Sequence, residues 1–327
     1  MRILVTGAAG FIGSQYVRTL LGGGYADADQ WSVTVLDSLT YSGNLPNLDP
    51  VADNPRYTFV KGDITDVDLV DDLVPGHDAI VHFAAESHVD RSIQAAADFV
   101  TTNVVGTQVL LDAARRHGTG RFVQVSTDEV YGSIATGAWT EGSPVAPSSP
   151  YAATKAAADL LALAAHRTHG LPVVVTRSAN NYGSYQHPEK LIPRFVTNLL
   201  EGRTVPLYGG EGGQSREWVH VDDHCLATAL ALLEGEPGEV YHIGGTRELS
   251  NRDLAGLLLA ACGGDWDRVV EVADRKGHDK RYALDDERIR HELGYRPRVD
   301  FDAGLAATIS WYSENAEWWR PLVLDRD

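Results

Sequence analysis

LVTGAAGFIGS, residues 4–14, carries an apolar strand straight into a turn with Gly7, Gly10 and Gly13 in the spacing GxxGxxG. Glycine permits the tight turn and lets the backbone approach a pyrophosphate, which then rests at the positive N-terminus of the following helix. A Gly-rich turn alone is a weak signal, and its context strengthens it. The next apolar run ends in VLDSLT, so Asp37 stands where an acid accepts hydrogen bonds from adenosine ribose hydroxyls. An acid there repels a 2′-phosphate, so the expected dinucleotide is NAD rather than NADP. GDI at 62–64 and FAAES at 83–87 close the third and fourth apolar runs, on the carboxyl edge where such sheets bind ligands.

Outward from that turn, strands are predicted near residues 2–6, 31–36, 57–61, 79–83, 121–126 and 173–178, and helices near 11–21, 92–117 and 151–169. Strands alternating with helices imply βαβ units, right-handed crossovers and a parallel sheet covered on both faces. The expected fold class is α/β, a doubly wound parallel sheet of Rossmann type with a smaller C-terminal α/β substrate lobe. The expected division is 1–178 for the NAD-binding domain, with later segments returning to it, and 179–327 mainly for the substrate. Beyond residue 178, NNYGSYQHPEKLIP, VPLYGGEGGQSREW and DRKGHDKRYALD are long polar loops, which in a compact protein usually serve function. WYSENAEWW, with Trp311, Trp318 and Trp319, reads as a helix anchoring the smaller lobe.

At 327 residues, 43% hydrophobic and 22% charged, the chain has the composition of an ordinary globular protein with a sizeable core. Its net charge of −17 argues against affinity for nucleic acid or an anionic membrane through a basic face. No run approaches the roughly 18–20 apolar residues of a membrane span. MRILVTGAAG is neither a signal nor a transit peptide, which places the expected compartment in the cytosol. Cys225 and Cys262 lie in apolar, helix-like stretches and are expected to be buried free thiols. His82, His88 and His220 form no metal set and are expected to make ordinary hydrogen bonds, so no catalytic metal is expected.

STDEVYG, residues 126–132, sets Asp128 and Glu129 side by side immediately after RFVQV. Successive strand side chains point to opposite faces, so two adjacent acids can serve one site only if the chain leaves the strand there. Two close carboxylates separate in pKa, leaving one protonated and one ionised. SPYAATKAAAD supplies Tyr151 and Lys155 one helical turn apart on the same face. A Lys ammonium and a positive nicotinamide beside the phenol favour the phenolate and lower its pKa. Tyr151 is then a base for a hydroxyl proton as hydride leaves the same carbon.

TGAAGFIG, Asp37 and the YxxxK of Tyr151 to Lys155 resemble the extended short-chain dehydrogenase/reductases. Within that superfamily FAAESHVDRSI, STDEVYG, NNYGSYQHPEKLIP, REWVHVDDH and GHDKRYALD resemble the dTDP-glucose 4,6-dehydratases over almost the whole chain. Ala8 stands where these enzymes usually have Gly, and YAATKAAAD replaces the commoner YSASKASSD; neither change touches a reacting group. The resemblance implies that Tyr151 takes the sugar 4-hydroxyl proton while tightly held NAD takes the C4 hydride, and that Thr127 bonds the 4-oxygen. Glu129 then removes the acidified C5 proton, protonated Asp128 donates to the departing 6-hydroxyl, and hydride returns to C6 with no net redox change.

It further implies a cofactor held by Gly7, Gly10, Phe11, Ile12 and Gly13, by Asp37, Ser38, Leu39 and Thr40, and by Asp63 and Ile64. Phe83, Ala84, Ala85, Thr102, Tyr151, Lys155 and Asn181 complete that set. For a dTDP-sugar it implies Ser87, Thr127, Asn180, Lys190 and Leu191 on the sugar and phosphate side, with Pro206, Leu207 and Tyr208 around the base. Arg216, Asn251 and the segment from His278 to Tyr282 match positions that hold the nucleotide diphosphate, where an Arg fork suits phosphate oxygens. A homodimer paired through the helices near 92–117 and 151–169 follows from the same resemblance.

Neighbouring readings are a UDP-glucose 4,6-dehydratase, a nucleotide-sugar epimerase and a UDP-glucuronate decarboxylase. The last two have no need of Asp128 and Glu129 together beside Thr127. A non-catalytic NAD-sensing regulator is the reading from another class; loss of Tyr151 or Lys155 would favour it, and both are present. The base, thymine or uracil, stays open, since a methyl group is recognised by loops whose shape the sequence does not reveal.

Overall fold

Ile3, Leu4 and Val5 are all fully buried although successive strand residues point to opposite faces, the mark of a central strand in a sheet covered on both sides. In the computed structural model, which describes residues 1–25, 28–209 and 213–324, they form β1 (Arg2–Thr6). On one side of it lie β2 (Ser32–Asp37) and β3 (Tyr57–Lys61), and on the other β4 (Ala79–His82), β5 (Arg121–Thr127) and β6 (Val173–Ser178). The chain then makes β7 (Asn180–Tyr182), β8 (Val205–Tyr208) and β9 (Ser215–His220) before β10 (Val240–Ile243) returns beside β6 as the seventh strand. Every pairing in this sheet is parallel. β11 (Arg247–Ser250) joins β9 and β7 in a three-stranded sheet, and β12 (Val269–Val272) pairs with β8.

The helices are α1 (Phe11–Leu21), α2 (Val67–Leu73), α3 (Val89–Gln94), α4 (Ala96–Phe99), α5 (Thr107–His117), α6 (Pro150–His169) and α7 (Leu191–Leu200). α8 (Val221–Glu234), α9 (Asn251–Ala261), α10 (Glu287–Glu292), α11 (Phe301–Glu314) and α12 (Ala316–Leu324) follow. The alternation in β1 decides what each face packs against. Ile3 and Val5 meet Tyr16, Val17 and Leu20 of α1 and Cys225 and Leu232 of α8. Leu4 meets Val70 of α2, Leu110 of α5 and Ala162 of α6. Strand order reverses between β1 and β4, which parts the loops at their carboxyl ends and opens a crevice.

The single helix expected over 92–117 is four pieces. His88 caps α3 by accepting the Arg91 amide, Ala95 breaks the helix at φ −141° and ψ 72°, and a π-helical segment, Val100–Gly106, precedes α5. The wide turn brings Asn103 inward, where its amide bonds Glu86 N (2.8 Å), Glu86 O (3.0 Å) and Thr154 Oγ1 (2.9 Å). Those partners are remote in the chain, so periodicity carried no sign of the break. α6 starts at Pro150, one residue before the expected start, because the Ser149 hydroxyl caps it by accepting the Ala152 amide.

The smaller lobe has its own core of Tyr182, Phe195, Trp218, Leu258, Tyr312 and Trp319. The C-terminal helices anchor it as expected, and Trp318 Nε1 also donates to Asn47 Oδ1 at 3.0 Å, beside the loops of the large sheet. Cys225 is buried and Cys262 only half-buried; both are free. Among the described residues, no helix is long and apolar enough to cross a membrane.

Candidate active site

Gly7 sits at the crevice with φ +72°, and a Cβ there would lie 2.4 Å from Ala84 N and 2.5 Å from Ala84 Cα. A Cβ at Gly13 would lie 2.7 Å from the Gly7 carbonyl oxygen, where α1 abuts the turn. Gly10 caps α1 without a side chain over the helix N-terminus. At the end of β2, Asp37 accepts from Ala9 N (2.9 Å) and Leu39 N (2.8 Å), so its carboxylate is fixed in place. Burial raises the Asp37 pKa against those two amides. Gly7, Gly10 and Gly13 beside a fixed acid fit a pyrophosphate and a ribose diol, as a dinucleotide requires.

Phe11, Ile12, Ser38, Thr40, Asp63, Ile64, Phe83, Ala84, Ala85 and Thr102 line the same crevice. Leu39 does not: its side chain packs against the α1 face of the sheet, and its contribution is the φ of +55° that aims its amide at Asp37. Gly7→Ala is expected to cost about 1–3 kcal/mol in backbone strain, read as a lower Tm together with loss of dinucleotide retained through purification. Retention at the wild-type level would show that the approach of Ala84 is not what shapes the cradle.

β5 ends at Thr127, and a 3₁₀ turn, Asp128–Tyr131, takes the chain off the strand, so both acids enter one cleft with Tyr151 and Lys155. The Thr127 hydroxyl accepts the Glu129 amide and donates to Asp128 Oδ1, each at 3.2 Å. Asp128 is buried, and its Oδ2 has no hydrogen-bond partner among the described residues. Burial, then the neighbouring Glu129, pushes the Asp128 pKa well above the carboxylate range. Burial raises Glu129 as well, but Arg275, Arg216 and Lys190 oppose it. Both carboxyls are thus raised, Asp128 the further of the two, which makes Asp128 the member that holds a proton more readily.

Lys155 is buried on α6 and donates from Nζ to the Val125 carbonyl at 2.7 Å. Burial, then Glu129 and Asp128, hold the Tyr151 pKa well above the ordinary phenol value. The Lys155 ammonium is anchored on a backbone carbonyl. Only added positive charge beside the phenol, as an oxidised nicotinamide carries, would draw the proton off.

Ser87, Asn180, Lys190 and Leu191 line this cleft too, and Lys190 Nζ donates to the Ser87 carbonyl at 2.9 Å. Asn181 also reaches it; its amide nitrogen donates to Ser178 Oγ and Ala179 O, and its oxygen accepts from His224 Nδ1 at 2.8 Å. The remaining substrate candidates gather in a second cluster, of which Arg216 and Tyr282 are close enough to interact electrostatically with Asp128 and Glu129. Arg216 donates to the carbonyls of Ser215, Asp279 and Lys280 and lies 4.3 Å from the Tyr282 ring centre. The Tyr282 hydroxyl donates to Asp279 Oδ2 at 2.7 Å, Tyr208 meets His278 edge-on, and Asn251 Oδ1 is buried without a partner among the described residues. Leu207 turns the other way. β8 alternates, so Val205 and Leu207 enter the lobe's core while Pro206 and Tyr208 are half-exposed on the opposite face.

Sequence reasoning passed over several groups. Glu189, almost fully buried, lies 3.7 to 4.0 Å from His88, Arg91, His187 and Lys190. The neighbouring Lys190 was its only signal. His224 lines the cleft as a neutral imidazole, burial taking its pKa down to about 3. His82 bonds Thr6 and Thr107, and His88 and His220 cap helices, so all three make ordinary hydrogen bonds.

Comparison with known proteins matches residues 4–308 to the family model described as GDP-mannose 4,6 dehydratase. The dTDP-glucose 4,6-dehydratase of Streptomyces niveus is 64% identical over 322 residues, covering 98% of this chain and 96% of that protein. A crystal structure of DesIV, a dTDP-glucose 4,6-dehydratase from Streptomyces venezuelae with NAD and TYD bound, is 62% identical with a TM-score of 0.97, covering 98% of this chain and 100% of that one. The fold extends to the UDP-glucose 4-epimerase of Thermotoga maritima, 32% identical with a TM-score of 0.88 over 97% of this chain and 100% of that one. Full-length identity at this level, on a fold that dehydratases and epimerases share, settles the family: the chain belongs to the dTDP-glucose 4,6-dehydratases.

Proposed function

We propose that the protein converts dTDP-glucose to dTDP-4-keto-6-deoxy-glucose and water, with NAD as its cofactor. The observation that carries this is the Asp128–Glu129 pair, Asp128 raised further than Glu129, within a cleft that also holds Thr127, Tyr151 and Lys155. Bound in the cradle of Gly7, Gly10, Gly13 and Asp37, NAD supplies the hydride acceptor for C4 and the hydride that reaches C6. Tyr151 takes the 4-hydroxyl proton, with the Lys155 ammonium favouring the phenolate and Thr127 holding the 4-oxygen. The 4-carbonyl so formed acidifies C5–H. Glu129 takes that proton, the C–H electrons form the C5–C6 double bond, the C6–O bond breaks, and the Asp128 proton leaves with the oxygen as water. Glu129 then exchanges its proton with solvent, and C5 is reprotonated with a solvent-derived proton. The cycle leaves Tyr151 protonated and Asp128 ionised, so one proton passes from the first to the second before the next turnover.

We assign Lys190 and Arg216, with Asn251 and the His278 to Tyr282 segment, to the nucleotide diphosphate, and residues 179–327 mainly to sugar-nucleotide binding. Pairing as a homodimer is supported by apolar side chains that remain exposed on the helices concerned, Val100 (47%), Val105 (48%) and Leu160 (53%). Two free cysteines and no disulfide fit a reducing, cytoplasmic setting.

Mass spectrometry of dTDP-glucose incubated with the purified protein in deuterated water, without added NAD, tests the function. The expected product has lost one water and gained one deuterium at C5. An unchanged mass would reject dTDP-glucose dehydration, with UDP-glucose and UDP-glucuronate the next substrates to try.

A further inference from the structure

Behind the catalytic side chains runs a chain of buried polar groups that none of the steps above employs. Asp159, one helical turn beyond Lys155 on α6, is fully buried; its Oδ2 accepts from Ser126 Oγ at 3.0 Å and from Arg177 Nε at 2.9 Å. Arg177, also buried, donates from Nη1 to the Tyr131 hydroxyl at 2.5 Å. That hydroxyl lies 2.6 Å from His242 Nε2, and His242 Nδ1 lies 2.9 Å from the Asp285 carbonyl oxygen. A carbonyl only accepts, so His242 carries its proton on Nδ1 and takes the Tyr131 hydrogen on Nε2. Burial keeps this imidazole neutral, with a pKa down at about 4. Every bond in the chain then has one direction; burial raises the Asp159 pKa, and the Arg177 guanidinium, then Lys155 and the Ser126 hydroxyl, act against that rise in favour of the carboxylate.

The chain joins the elements that carry the chemistry. Ser126 precedes Thr127, Tyr131 closes the turn bearing Asp128 and Glu129, Asp159 shares α6 with Tyr151 and Lys155, and Arg177 stands next to the end of β6. We propose that Asp159, held by Arg177, is a positioning residue that keeps the Lys155 ammonium charged beside Tyr151, while the Tyr131 end of the same chain holds the acid–base turn in place. The role of Lys155 in this rests on the dehydratase reading.

The surroundings of Lys155 leave Asp159 that task. Burial lowers the Lys155 pKa to about 8, and Asp159 is the carboxylate that opposes the fall. Tyr151 and Asp159 come from its own helix, His82 on β4 is neutral with a pKa of about 3, Arg177 on β6 is engaged by Asp159, and Asp128 and Glu129 stand on the turn after β5. The π-helical segment and α5 turn the uncharged Asn103 and Thr107 inward, and the charged residues of α3, α4 and α5 are at least partly exposed.

The chain has five lysines, at 61, 155, 190, 276 and 280, so ¹³Cε-lysine labelling of the purified NAD-loaded protein gives a spectrum in which Lys155 is identified by its loss in Lys155→Met. The Lys155 signal is expected to titrate near pH 8 in the wild type and lower, by about one unit or more, in Asp159→Asn. Turnover of dTDP-glucose should fail on the alkaline side at a correspondingly lower pH, whereas a merely structural lesion slows the enzyme at every pH alike. Where Asp159→Asn leaves Arg177 unpaired and does not fold, the double variant Asp159→Asn/Arg177→Met removes both buried charges and should also titrate below wild type. Tyr131→Phe cuts the chain without changing a charge, and should slow elimination while leaving the Lys155 titration unmoved. A Lys155 titration at the wild-type pH in the Asp159 variants would overturn the proposal. Should Lys155 shift as expected while the wild type turns over no dTDP-glucose, the dehydratase reading fails and the positioning role stands.

Discussion

Tyr151→Phe is expected to abolish C4 oxidation, with turnover of dTDP-glucose falling on the order of 10²–10⁴-fold, the usual contribution of a positioned general base. Lys155 is tied to the Val125 carbonyl, and burial and Glu129 raise Asp128 well above the carboxylate range, which leaves Glu129 as the alternative acceptor in the cleft. No NADH absorbance should appear when substrate is mixed with the variant. Because burial and the two acids raise the phenol pKa, the wild type should oxidise C4 faster as pH rises toward that value, until Lys155 begins to lose its charge. Normal NADH formation by the Phe variant would remove Tyr151 from the role of base and shift attention to Glu129.

Glu129→Gln and Asp128→Asn should fail at a later point. Each is expected to lower product formation by about 10²–10⁴-fold while C4 oxidation proceeds, so NADH accumulates instead of passing unseen. The pH dependence follows from the divided pair. Glu129 must be ionised, so elimination is lost as pH falls through its raised pKa; Asp128 must be protonated, so elimination is lost as pH rises through a value raised further still. Glu129→Gln should erase the acid limb of this bell and Asp128→Asn the alkaline limb. Stopped-flow absorbance beside product analysis distinguishes these variants from Tyr151→Phe in one experiment, and full turnover in either would refute its assignment.

The parallel sheet, the glycine turn and Asp37 were legible in the sequence because each rests on local chemistry. Continuous apolar runs specify strands buried on both faces, Gly7 is required by its own φ, and an acid at a strand end is placed by chain direction alone. Thr127, Asp128 and Glu129 were legible as one local group, from a turn after a strand, and Tyr151 and Lys155 as another, from one turn of helix; the fold brings the two groups into one cleft. The interruptions between α3 and α5 were not, since Asn103 answers to Glu86 and Thr154 from other segments.

Tertiary structure alone decided the electrostatics. Spacing in the sequence foresaw that the two acids would divide and the resemblance gave the proton to Asp128; the physical cause, burial with Arg275, Arg216 and Lys190 reaching Glu129 from segments far along the chain, came from the fold. The phenol of Tyr151 is held high by the protein because folding buries it against both acids. Leu207 turns inward because the pairing of β8 sets which of its faces meets the core. Local sequence determines backbone path and the order of chemical groups along it; ionisation and orientation depend on what long-range packing brings within a few ångströms and shields from water.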